Sequence, residues 1–305
     1  EIYKYYDKSF CMIDTINFEV KMVGKIVLSA DSTCDLDDML KERYRVNIHP
    51  LHVILGNDQY RDGMDITADD IYNAYSRYHI IPRTAAINVQ EFVDYFKKWT
   101  DEGCSVIHFN LGSGLSSSYQ NCCIAAQELG NVYPIDSCSL STGTGLLVIE
   151  AAERIAQGME APEILQEINA LKAEVHASFI IDTLEFLHAG GRCSALAALG
   201  ANILNIKPCI EVDNADGRMG VGKKYRGTLD KVLKQYTADK LEQYPNIKLD
   251  RIFITHSGIS QERIDLVKKT IQDIAGFREI VVTRAGCTIS SHCGPNTLGV
   301  LFMTE

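Results

Sequence analysis

Ser116, Ser117 and Ser118 are the residues of this chain whose type and position most directly suggest chemistry. They close the run SVIHFNLGSGLSSSY from Ser105 to Tyr119, which reads as a buried strand, a turn bearing Gly112 and Gly114, and the start of a helix. The glycines permit a tight turn and a close approach of backbone to a ligand. A helix N-terminus carries free N–H donors and partial positive charge, which suits a carboxylate or phosphate. The plain alternative is a set of caps on a crossover helix. His292, in the short polar stretch Ser290–His292 before Gly294 and Pro295, titrates near neutrality and suits a place beside such an anion. Arg192 follows Gly190 and Gly191, and a guanidinium pairs with carboxylate or phosphate in a bidentate fork. Its plain alternative is a surface ion pair to Glu185 or Asp182. Thr84 follows a proline-containing turn and precedes an Asn88 helix cap, where a hydroxyl ordinarily satisfies loop backbone.

Two enzymatic readings bear on these residues. Ser116 and His292 could form a serine hydrolase or esterase, but Gly112–Ser116 does not spell G-x-S-x-G and no triad acid stands out. A kinase acting alone would need a G-x-x-x-x-G-K-[ST] loop, and the chain has none. Asp31, Ser32 and Asp136 follow strands, where open α/β sheets place ligands. Two such carboxylates are too few for metal-assisted hydrolysis, so they read as loop braces. His108, His188 and His256 have ordinary core, helix or strand-end explanations.

The elements that must position these groups alternate in the first half. Lys25–Ala30 reads as a strand, Leu36–Tyr44 as a helix, and Val46–Leu55 as one extended run ending in a turn at Gly56–Asp58. Thr67–Asp70 and Asn88–Glu91 look like capping boxes for helices reaching about Tyr78 and Trp99. The strand of the serine run and its helix follow, then a strand at Asn131–Ile135 and a helix from Gly145 to Gly158. Alternating strands and helices indicate a parallel sheet covered on both faces. The second half has a different pattern: a helix over 162–175, a strand at Ser178–Ile181, a small-residue helix from Ser194 to Leu204, and a hairpin pairing Lys207–Val212 with Met219–Arg226. Helices over 228–243 and 260–275 bracket a strand at Arg251–Thr255, and strands near 279–283 and 298–303 end the chain. The fold class expected is α/β in two domains, an N-terminal parallel-sheet α/β/α domain over 22–160 and a C-terminal α+β domain with a mixed or antiparallel sheet over 161–305. Residues 1–21 are set apart as an N-terminal extension.

Composition narrows the function. Of 305 residues, 46% are hydrophobic and 23% charged, as in ordinary globular proteins, and the formal charge of -10 opposes non-specific attraction to nucleic acid or anionic membrane. The ten cysteines are scattered with no C-x-x-C pair, which argues against a zinc site and fits a reducing cytoplasm. No uninterrupted apolar stretch is long enough for a transmembrane helix.

Several motifs together resemble one family, the DegV proteins. They are Asp31-Ser-Thr-x-Asp-Leu36, Pro82-Arg-Thr84, Gly114-Leu-Ser-Ser-Ser-Tyr-Gln120, Asp136-Ser-x-Ser-x-Ser-x-Gly143, Asp182-Thr-Leu-Glu-Phe-Leu-x-x-Gly-Gly-Arg192, Leu204-Asn-Ile-Lys-Pro208 and His292-Cys-Gly-Pro295. The resemblance implies a two-domain protein that binds a long-chain fatty acid without a cofactor or metal. Some members present that acid to a separate fatty-acid kinase, which makes an acyl phosphate for phospholipid synthesis. It further implies that Thr84 and Ser116 hold the carboxylate and that His292 and Arg192 lie near the head group or the kinase-facing surface. Where the family usually continues its threonine motif with Ser-Gln-Pro, this chain has Ala85, Ala86 and Ile87. Hydroxyls alone hold a carboxylate weakly, whereas each buried methylene contributes about 0.8 kcal/mol, so affinity must come mainly from an apolar tunnel. Candidate walls are Phe179, Ile180, Leu184, Leu187, Leu199, Ile203 and Leu204. Lys223, Lys224 and Arg226 form a basic strand end, read as a solvated face or a docking patch for the kinase.

Overall fold

The structure, a computed structural model, describes residues 25–195 and 206–305. Residues 196–204 of the helix expected from Ser194 to Leu204, with the candidate walls Leu199, Ile203 and Leu204, and residues 1–21 lie outside the described residues.

The chain opens with β1 (Ile26–Asp31) and α1 (Asp38–Arg43). The extended run Val46–Leu55 is two strands, not one: β2 (Asn47–His49) joins β1 in parallel, while β3 (His52–Leu55) belongs to another sheet. The break falls at Pro50, which has no N–H to give to a ladder. β3 pairs with β4 (Asp58–Arg61) and, after α2 (Ala68–Tyr78), with β5 (Arg83–Ala85). This small antiparallel sheet was not foreseen, and it carries Thr84. α3 (Val89–Thr100), β6 (Ser105–Asn110), α4 (Ser118–Leu129), β7 (Val132–Asp136) and α5 (Thr142–Ala156) complete the first half. Both capping boxes form: Thr67 with Asp70 begins α2, and Asn88 with Glu91 begins α3.

The parallel sheet has the order β2-β1-β6-β7. Alternation along its central strands sends Val27 and Val106 toward α3 and α4, and Leu28, Ala30, Ile107 and Phe109 toward α5. The second half adds α6 (Ala161–Leu171), β8 (Val175–Ile180), α7 (Glu185–Gly190), the antiparallel hairpin β9 (Ile206–Val212) and β10 (Met219–Arg226), α8 (Leu229–Gln243), β11 (Ile247–His256), α9 (Gln261–Ile274), β12 (Glu279–Arg284), α10 (Cys287–Cys293) and β13 (Leu298–Thr304). Its sheet runs β10-β9-β8-β13-β11-β12 and is mixed, since β11 and β12 are parallel while its other pairs are antiparallel. One face packs on α8 and α9; the other sends Phe253, Leu301 and Met303 into the same core as Leu147 and Ile149 of α5. A helical layer is thus shared by the two sheets.

Candidate functional site

The segments that follow β2, β6 and β7 reach a cavity of about 130 Å³, as expected for ligand sites of open α/β sheets. Thr84, Ser116, Arg192 and His292 all line it. The four come from separate elements: the middle of β5, the loop before α4, the residue after Gly191, and the last turn of α10. Leu51, Leu111, Leu115, Leu140, Met219 and Ile289 supply much of its apolar wall.

Thr84 Oγ1 lies 2.8 Å from His292 Nε2. Burial pushes the His292 imidazole down to about 4, and the positive charge of Arg192 acts in the same direction. The ring is therefore neutral at pH 7, with one N–H and one lone pair. If Nε2 carries the proton it donates to Thr84, which leaves the Thr84 hydroxyl hydrogen free to donate elsewhere. Nδ1 is buried without a hydrogen-bond partner among the described residues. It is packed against Gly190, where an added Cβ would sit 2.1 Å from it. Gly190 is thus required for space, to seat the imidazole.

Ser116 Oγ accepts from the Ser118 N–H at 3.2 Å and lies 3.1 Å from Ser118 Oγ. The buried Ser118 hydroxyl in turn accepts from the Ile87 N–H at 3.3 Å, which ties the start of α4 to the end of the threonine segment. Ser116 and His292 make no hydrogen bond to each other: the imidazole faces Thr84. A nucleophile and base within hydrogen-bond reach, with the base oriented by an acid, is the signature of a hydrolase, and nothing here supports that alternative.

Arg192 is exposed. Its Nη1 donates to the Gly190 carbonyl at 2.7 Å, and its Nε reaches the Leu115 carbonyl at 3.5 Å. The ion pairs expected of it go elsewhere, because Asp182 pairs with Lys207 and Glu185 accepts from the Tyr75 hydroxyl. Arg192 lines the cavity and has no carboxylate partner among the described residues. On β10, Lys223 pairs with Asp239 at 2.6 Å, an ordinary solvated contact.

Gly112 and Gly114 have a different role from the one their sequence suggests. A Cβ on Gly112 would sit 3.2 Å from Gly217 Cα, and one on Gly114 only 2.5 Å from the Asp216 carbonyl oxygen. Gly114 donates its N–H to that carbonyl at 2.9 Å. The glycines bring the turn after β6 against the β9–β10 turn, Gly112 also packing on the Ser139 backbone, so their close partners are protein backbone.

Buried carboxylates hold the site from behind. Asp62 accepts from Ser32 Oγ at 2.9 Å and from the backbone N–H groups of Cys287 and Thr288 at 2.7 and 3.0 Å. It fixes the first turn of α10, whose last turn carries His292. Asp35 accepts from Ser141 Oγ and from the Gly286 N–H at 2.8 Å; burial pushes it up to about 8. Asp31 accepts from Leu111 N–H at 2.7 Å and from Thr33, and burial pushes it up to about 6. Asp136 accepts from the N–H groups of Ser113 and Cys138, each at 3.0 Å. The aspartates and Ser32 are braces, and among the described residues no group of three or more His, Cys, Asp and Glu side chains is placed to hold a metal.

Comparison with known proteins decides the family. A family model described as "Uncharacterised protein, DegV family" matches residues 25–305. The chain belongs to the DegV family. A DegV domain-containing protein of Clostridium perfringens is 30% identical over 286 residues, spanning 93% of this chain and all of that one. A DegV family protein from Thermus thermophilus, described by its fatty-acid binding, superposes with a TM-score of 0.83 at 28% identity, over 92% of this chain and 100% of that one. A stearic acid-binding protein from Eubacterium ventriosum has the same fold, with a TM-score of 0.78 at 23% identity over 92% of this chain and 98% of that one. The DegV fold thus accounts for both sheets. Among the described residues no helix is long and apolar enough to cross a membrane.

Some lining residues were missed or misassigned from the DegV-like motifs. Ile180 packs on the α8–α9 face of its sheet and does not line this cavity. Phe179 and Leu187 pack in the cluster that contains Leu111, Leu115 and Met219, one layer behind the lining. Thr288 lines the cavity and was not singled out. It precedes His292 by four residues, a helical spacing that would have marked it had 287–293 been read as a helix.

Proposed function

We propose that this chain binds a long-chain fatty acid, its carboxylate held by Thr84 and Ser116 beside His292 and its tail continuing along the apolar wall. One observation carries the reading: Thr84, Ser116, Arg192 and His292, far apart in sequence, line a single cavity whose remaining wall is largely aliphatic. The fatty-acid binding described for the Thermus thermophilus relative supports it. Residues 22–160 then supply the two hydroxyls, and residues 161–305 supply the imidazole and guanidinium. Neutral His292 orients Thr84, so that the hydroxyl donates to the carboxylate. Binding energy comes from the tail, at about 0.8 kcal/mol per buried methylene, and the hydroxyls set which end enters first.

The protein on this reading is a carrier in the cytoplasm rather than an enzyme, and its partner is a fatty-acid kinase. The carboxylate sits at the end of the cavity where exposed Arg192 stands, so a phosphoryl donor on the partner would approach there. Arg192 and His292 then assist transfer by stabilising charge. Acyl-phosphate formation with a partner kinase tests this. His292→Ala should retain most acyl uptake while transfer falls about 10–100-fold, the low end for one positioned group. Arg192→Ala should behave alike. Equal loss of uptake and transfer would make His292 a ligand residue only, and unchanged transfer would make it structural.

A further inference from the structure

Among the polar side chains that line the cavity, Thr288 has no task in the account so far. It is only 2% exposed, yet its Oγ1 has no hydrogen-bond partner among the described residues. A threonine hydroxyl in a helix ordinarily bonds back to a carbonyl three or four residues upstream. Thr288 stands at the second position of α10; the Ala285 carbonyl, three residues before it, accepts from Ser290 Oγ at 3.1 Å instead. The Thr288 backbone N–H is committed to Asp62 at 3.0 Å, so the residue is fixed in place while its hydroxyl remains unpaired. A buried hydroxyl without a partner is costly, and native proteins retain few of them.

We propose that Thr288 is a third hydroxyl of the ligand site, whose Oγ1 takes its hydrogen-bond partner from an oxygen at the polar end of the bound acid. This rests on the reading of the cavity as a fatty-acid site. Two observations place the contact at that end. Thr288 lies one helical turn before His292, about 6 Å along the α10 axis, so the two share a face of the helix. Both line the one cavity that also holds Thr84 and Ser116. Rotation about χ1 between staggered positions exchanges the threonine methyl and hydroxyl, so a ligand oxygen can draw the hydroxyl toward itself without moving backbone. Binding therefore relieves a desolvated group as well as adding a contact. In this respect Thr288 differs from Ser116 and Thr84, which already have protein partners.

The test is Thr288→Val, which keeps the branched shape and removes the hydroxyl. Removing an unpaired buried polar group should leave the thermal stability of the ligand-free protein unchanged or raised. Affinity of the delipidated full chain for palmitate should nonetheless fall about 2–10-fold, the range for one hydrogen bond. Thr288→Ser should bind close to wild type. The opposed signs of stability and affinity separate a ligand contact from a packing role. Palmitate affinity unchanged in Thr288→Val overturns this inference alone, as does a stability loss that parallels the affinity loss. A wild-type chain that takes up no palmitate overturns the fatty-acid reading and this inference with it.

Discussion

Two polar regions lie side by side behind and within the cavity, and they are built on opposite principles. In the brace, the carboxylates of Asp31, Asp35 and Asp62 are each met by two or three donors of the protein. In the lining, Thr84 and His292 have chiefly each other, and neither the Thr288 hydroxyl nor His292 Nδ1 has a described partner. The brace sits at or just after strand ends, whereas these lining groups are carried by β5 and α10. The difference is where the hydrogen-bonding capacity goes. Saturated groups fix loops; incompletely paired groups, at a cavity, are left for a ligand.

Breaking the brace should have the largest effect. Asp62→Ala strips partners from Ser32, Cys287 and Thr288 at once. Each buried donor left unpaired costs about 1–3 kcal/mol, so the loss should reach about 3 kcal/mol or more in urea denaturation. A loss within the range of a surface substitution would mean that the brace is dispensable.

Opposite dependences on pH sharpen the contrast. Folded Asp35 keeps its proton up to about 8, whereas the ordinary carboxyl releases it near 3.8. Its contribution is full below 3.8 and fades as pH rises toward 8. His292 behaves in the reverse sense, with a folded value near 4 against an ordinary 6.5. Its neutral ring contributes fully above 6.5, and that contribution is lost as pH falls toward and through 4. Stability measured across this range should show the Asp35→Asn deficit shrinking with rising pH and the His292→Gln deficit growing. Each should change by several kcal/mol, more for Asp35 than for His292. Parallel curves would remove the distinction.

Gly190→Ala tests the seat of the imidazole. The new Cβ would meet Nδ1 at 2.1 Å, so ring or backbone must shift. Overpacking of this kind costs about 1–3 kcal/mol of stability, while palmitate affinity should fall only modestly, as in His292→Ala, through the orientation of Thr84. Unchanged affinity would show that Thr84 needs no such partner. The smallest effects belong to the lining hydroxyls. Thr84→Ala and Ser116→Ala should each weaken palmitate binding by about 0.5–1.5 kcal/mol with little change in stability. The double variant should lose less than the sum if both touch one carboxylate. Strict additivity would place them at separate points of the ligand.

Much of this was legible in the sequence where local chemistry decides. The two capping boxes have partners three residues apart, and the β9–β10 hairpin has its turn within Asn214–Gly217; both are short-range features. Residues gathered from distant segments became legible through motifs shared with a family, which is how Thr84 and His292, 208 residues apart, came to be named together. What stayed hidden depends on tertiary context. The run Val46–Leu55 is uniformly extended, and only pairing with different partners splits it between two sheets. α10 is short and rich in Ser, Thr and Cys, so no amphipathic stripe announces it; Asp62 and Asp35 bind its opening N–H groups from remote loops. Thr288 was missed for that reason. Gly112 and Gly114 declared a close approach, but only the fold shows that the Asp216–Gly217 backbone is what approaches.

The most direct test of the central claim is the carboxyl resonance of palmitate labelled with carbon-13 at its first carbon and bound to the delipidated chain. A single bound resonance is expected, displaced in Thr84→Ala and in Ser116→Ala and unmoved in Lys223→Ala, whose side chain on β10 pairs with Asp239 of α8. Absence of a bound resonance, or a bound resonance indifferent to both hydroxyls, would contradict the assignment of this cavity to a fatty-acid carboxylate.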